Sequence, residues 1–156
     1  MPQYIPFKDR SALEKTKAMA KGGLLGAKYF GSEDYLRHMF NQDKIIEALA
    51  NRINEPRVSG GLLDSAINFA GAYDWAVRPG VEPQDARDMG LAYQMFDATL
   101  RDFGRRIPEE EELDYIQNMA GVEAGIMDRE QGRRMTDLEL LDAAIRYAKN
   151  YGNTRR

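Results

Sequence analysis

Six apolar residues recur along one stretch of this chain at spacings of three and four: Ala86, Met89, Tyr93, Phe96, Leu100 and Phe103. Such a run matches the 3.6-residue turn of an α-helix and leaves a strand no consistent face, because side chains along a strand alternate with a period of two. The same spacing continues elsewhere. Leu62, Leu63, Ala66, Ile67, Ala70, Tyr73 and Val77 predict a helix from about residue 59 to 77, ended by Arg78-Pro79-Gly80. Leu36, Met39, Phe40, Ile46, Leu49 and Ile53 predict one that Ser32 can cap and Pro56 closes, with room for a break at Asn41-Gln42-Asp43 where Asp43 starts a new turn. No run alternates as a half-buried strand would. The expected fold is therefore all-α, a single-domain irregular bundle of about six to seven helices.

Start signals place the helices. Ser11 with Glu14, and Thr136 with Glu139, have the spacing of a capping box, in which each side chain satisfies a free backbone N–H of the other residue. Pro83 and Pro108 suit a first helical turn, where the missing N–H costs nothing. Glu109 to Glu112 then place negative charge at the positive end of the helix dipole. Glycines supply the expected stops. Gly22-Gly23-Leu24-Leu25 returns as Gly60-Gly61-Leu62-Leu63, each followed ten residues after its second leucine by a tyrosine, Tyr35 and Tyr73. The first pair is expected to end a helix and lead into an aromatic loop, and the second to begin one. Gly121 and Gly125 are expected to interrupt a weak helix.

The organisation read from this pattern is an extended N-terminal arm over residues 1–10, a helical domain over 11–152 and a basic tail over 153–156. At 156 residues the chain suits one core. Composition then excludes several chemistries. With no cysteine and a single histidine, His38, disulfides, thiolate nucleophiles and the usual zinc ligand sets are absent. No phosphate-cradling loop, dinucleotide fingerprint or calcium loop is present. No catalytic, cofactor or metal residue is assigned, and no cofactor is expected. The amino-terminal run lacks the basic and then apolar layout of a signal peptide, and no segment is apolar enough for a membrane span. The expected setting is cytoplasmic, or inside a virion for a phage-encoded chain, with no membrane partner.

What is left points to binding. An arm carrying Tyr4, Ile5 and Phe7 is too short to form a core and too apolar to prefer water, so it is expected to dock on its own domain or on a neighbour. Tyr29 and Phe30, next to the first glycine pair, are the second contact candidates. The expected function is a non-enzymatic structural or accessory protein, a subunit of a larger assembly such as a phage particle or a regulatory complex, acting on a protein partner or by self-association. Arg105, Arg106, Arg133 and Arg134 stand at expected helix ends, where they either complement the dipole or bind an anionic partner. They support the alternative of a nucleic-acid-binding protein, although a net charge of -3 gives it little long-range attraction. A hydrolase using acidic residues is the third reading.

Overall fold

Capping side chains set the helix starts in the computed structural model, which describes residues 4–29, 43–54, 61–100 and 108–152. The Ser11 Oγ accepts the Glu14 N–H at 3.1 Å and opens α1, Ala12–Tyr29. At the other end, the Thr136 Oγ1 accepts the Glu139 N–H at 3.2 Å while the Glu139 carboxylate accepts the Thr136 N–H at 3.1 Å. That closed box starts α6, Asp137–Tyr147. Between them lie α2, Asp43–Ile53; α3, Leu62–Ala76; α4, Pro83–Leu100; and α5, Pro108–Glu130. Both prolines occupy the first helical position, as expected. A 3-10 turn over Phe7–Asp9 precedes α1 and a π turn over Ala148–Gly152 follows α6. The fold is all-α, with six α-helices and no strand among the described residues.

The stop after α3 falls at the expected Arg78-Pro79-Gly80, whereas the readings of Gly22-Gly23, Gly121 and Gly125 as breaks differ from the structure. Gly80 and Gly132, at φ of 85° and 69°, are the glycines in left-handed turns, after α3 and α5, and Asn54 at φ 51° ends α2. Gly22 and Gly23 stop nothing: α1 runs through both and on to Tyr29. Gly121 and Gly125 likewise lie inside an unbroken α5. An interior glycine costs a helix about 1 kcal/mol against alanine, and close packing outweighs that cost here. Gly22 and Gly26 are buried, one helical turn apart on one face of α1. Gly121 and Gly125 let α5 lie directly on α3.

Gly23 lacks this reason. A Cβ placed on it would meet nothing within 4 Å. Gly23→Ala should therefore raise stability by about 0.5 to 1 kcal/mol through helix propensity and a less flexible unfolded chain. Urea unfolding followed by circular dichroism measures this, and a destabilised variant would show that the position is crowded.

The α3–α5 pair forms the centre, with one apolar cluster on each side. On one side Leu25 of α1, Ala86 and Met89 of α4, and Met119, Val122 and Ile126 of α5 pack with Trp75. On the other, Leu63, Ile67, Phe69 and Tyr73 of α3 pack with Leu49 of α2 and Leu140, Leu141 and Ala144 of α6. The first four residues of the apolar run on α4 are internal, since Ala86 and Met89 are buried and Tyr93 and Phe96 pack against the first cluster; the Leu100 side chain and Phe103 lie outside the described residues. Leu138 follows the spacing of α6 yet stays exposed.

Candidate functional site

The first candidate element, the N-terminal arm, docks on its own domain. Tyr4 is buried and stacks on Tyr115 of α5, with ring centroids 4.6 Å apart. The backbone N–H of Phe7 donates to the Glu111 carboxylate at 2.8 Å, and the Lys15 ammonium lies 4.1 Å from the centre of the Phe7 ring. The Arg10 Nε donates to the Ile5 carbonyl at 2.8 Å, closing the arm on itself. Burial, and then the Glu111 carboxylate, push the Tyr4 hydroxyl above its ordinary pKa. The arm is not extended throughout, because Phe7 to Asp9 wind into the 3-10 turn. Of its three contact candidates only Ile5, 46% exposed, faces solvent openly.

Tyr29 is also engaged internally. It ends α1 instead of lying in a loop, and its hydroxyl donates to Asp85 of α4 at 2.5 Å and accepts the Glu82 N–H at 3.2 Å. Its ring meets Trp75 edge-on. The hydrogen bond from Tyr29, joined by one from Lys28, holds the Asp85 carboxyl below its ordinary pKa. Phe30 lies outside the described residues, as do Arg105, Arg106 and His38. Arg133 and Arg134 are the arginines that can be placed. Arg133 pairs with Asp128 at 3.0 Å and Arg134 with Asp74 at 3.5 Å, so both tie the turn after α5 to acids of the fold.

With Tyr4 and Tyr29 engaged internally, two outer helix faces stand out. Along α1 the residues opposite buried Gly22 and Gly26 are Leu13, Lys17, Ala20, Leu24 and Ala27, all exposed. Leu13 is 62% exposed and Leu24 72%. Along α5 the outer stripe carries Ile116 and Met127, 43% and 57% exposed, with Glu123 between them. Sequence reasoning missed all four apolar residues for one reason. Reading Gly22-Gly23, Gly121 and Gly125 as breaks cut each helix between its two exposed members, although eleven residues is close to three full turns and puts both on one face.

Lysines frame the α1 stripe. Lys21 pairs with Asp88 at 2.7 Å and Lys28 with Asp85 at 3.1 Å, and these carboxylates hold both ammonium groups above their ordinary pKa. Such pairs are exposed and contribute little stability, but they give the stripe a fixed basic border. The surface thus sets two leucines and two alanines about Lys17, with Lys21 and Lys28 along its edge. That combination suits a protein face of opposite charge.

A small cavity of about 40 Å³ lies between α3, α4 and α5, lined by Ile67, Asn68, Trp75, Met89, Tyr93, Asn118 and Val122 among others. It has room for about three water molecules. Its amide Asn68 belongs to a network, donating to Asp114 at 3.2 Å and to Gln117 at 2.9 Å, while Gln117 donates to Ser65 at 2.8 Å. These bonds join α3 to α5 across the core. Among the described residues no group of three or more His, Asp or Glu side chains could hold a metal ion. No described helix is long and apolar enough to cross a membrane. No protein-family model matches the chain, and comparison with curated protein sequences and with solved structures yields no match.

Proposed function

We propose that this chain is a non-enzymatic helical accessory protein that works through protein–protein contacts as a subunit of a larger assembly. The observation that carries the reading is the outer face of α1, where Leu13 and Leu24 stand in solvent on a helix whose other side is packed. A folded domain has no packing reason to expose two leucines on one stripe, and apolar residues gathered with Ala20 and Ala27 on one exposed helix face suit a contact site. The contact element is thus α1, with Ile5 of the arm as an outlying exposed residue, rather than the aromatic side chains of the arm.

The double substitution Leu13→Ser and Leu24→Ser tests this. Circular dichroism and thermal melting of the purified chain should change little, because neither side chain is buried. Recovered from the cells that make it, the tagged wild-type chain should carry its assembly and the double variant should lose it. Equal recovery of the same complexes by both would overturn the proposal.

A further inference from the structure

We infer that the partner is a second copy of this chain, whose α5 outer face receives the α1 outer face in antiparallel register. The inference rests on the contact reading above and names its occupant. Leu13 and Leu24 are eleven residues apart, and so are Ile116 and Met127. At 1.5 Å per residue each pair spans about 16 Å along its own helix. Setting the helices antiparallel with Leu13 on Met127 and Leu24 on Ile116 fixes every other pairing. Lys17 then faces Glu123, Ala20 faces Ala120, and Lys28 faces Glu112. Apolar residues meet apolar residues, lysine meets glutamate twice, and the two alanines at the midpoint allow an axis separation of about 8 Å.

The parallel alignment fails on the same residues. With Leu13 on Ile116 and Leu24 on Met127, Lys17 would face Ala120 and Ala20 would face Glu123. Overall charge favours the pairing as well. α1 carries four lysines against one glutamate, whereas α5 leaves Glu109, Glu123 and Glu130 exposed and Glu110 and Glu112 half-buried, against one arginine. Existing contacts leave capacity for the new ones. Glu123 accepts from Arg87 on both oxygens, at 2.6 and 3.2 Å, and a carboxylate offers about four acceptor sites, so each oxygen keeps one. Lys28 holds Asp85 and has further N–H groups to donate.

Because the two faces differ, the contact is heterologous and leaves each copy with a second face to offer. Light scattering of the purified full-length chain, from micromolar to millimolar concentration, should show a mass rising above the 17.7 kDa monomer. Lys17→Glu alone and Glu123→Lys alone should each weaken association at least about tenfold by placing like charges opposite one another. Mixing the two single variants should restore it, since each then supplies the charge the other lacks. Leu24→Ser is the uncharged control and should weaken association at every salt concentration. A wild-type chain that stays monomeric throughout, or association indifferent to these changes while circular dichroism confirms folding, would overturn the inference. In that case a Leu13→Ser/Leu24→Ser chain that still loses its native complex would preserve the contact reading and assign the face to a different protein.

Discussion

Gly121→Ala is expected to lower the stability of this fold by about 2 kcal/mol or more, although alanine is the better helix former. The reason is the α3–α5 contact. A Cβ at position 121 would run into the Phe69 carbonyl oxygen and come within 2.9 Å of the Ala72 Cβ, and neither atom belongs to a flexible side-chain end. The helices would have to separate, opening the apolar clusters on both sides of the pair. Gly125→Ala should behave alike, its Cβ lying 2.8 Å from that of Ala76 and 2.9 Å from the Val77 nitrogen. Denaturant midpoints of both variants, compared with Gly23→Ala, give the check: the same chemical change should carry opposite signs at buried and open sites. A Gly121→Ala protein as stable as wild type would show that the two helices are not in backbone contact.

Tyr73→Phe should cost about 2 to 4 kcal/mol. The Tyr73 hydroxyl is buried, donates to the Asp128 carboxylate at 2.7 Å and accepts the Met135 N–H at 2.8 Å. Phenylalanine keeps the ring and removes both bonds. Asp128, itself buried, is left with Arg133 at 3.0 Å and no phenol. Met135 loses the acceptor that anchors the approach to α6. Burial of the phenol is the main cause that pushes its pKa up to about 12, and the Asp128 carboxylate adds to it. A phenol near 10 in the unfolded chain and higher in the folded one means that folding favours the protonated form. Its contribution is complete below pH 10 and is lost as pH rises towards 12. Buried Tyr4 and the half-buried Tyr115 and Tyr147 shift in the same direction, burial being the first cause in each. The wild-type chain should therefore lose stability above pH 10, and the Tyr73→Phe variant should lose less of its own across that window. Unfolding free energies from pH 8 to 12 would decide it; parallel curves would remove Tyr73 from the account.

Helix starts were legible in the sequence because they depend on local chemistry. A serine or threonine three residues before glutamate, or a proline in a first turn, acts through the nearest backbone groups, and Ser11, Pro83, Pro108 and Thr136 each sit where that chemistry requires. The readings of Gly22-Gly23, Gly121 and Gly125 as breaks failed for the complementary reason, whereas Gly61 begins α3 as expected. A glycine signals a break only if nothing distant compensates, and at Gly121 and Gly125 the backbone of α3 passes close by, while Gly22 is buried. Losing those helices halfway also hid the exposed leucines. The arm shows a third case: that Tyr4 and Phe7 must dock follows from their apolarity, but that they dock on Tyr115 and Glu111 follows only from where α5 begins.

Sequence alone thus determined an all-α chain, the positions of its helix starts and the absence of cysteine chemistry, because periodicity, capping and composition are properties of neighbouring residues. Only the tertiary structure decided which glycines are contacts rather than stops, which aromatics face inward, and which leucines are left outside. Those outcomes depend on how close one helix lies to another, a distance set by the summed packing of residues far apart in the chain.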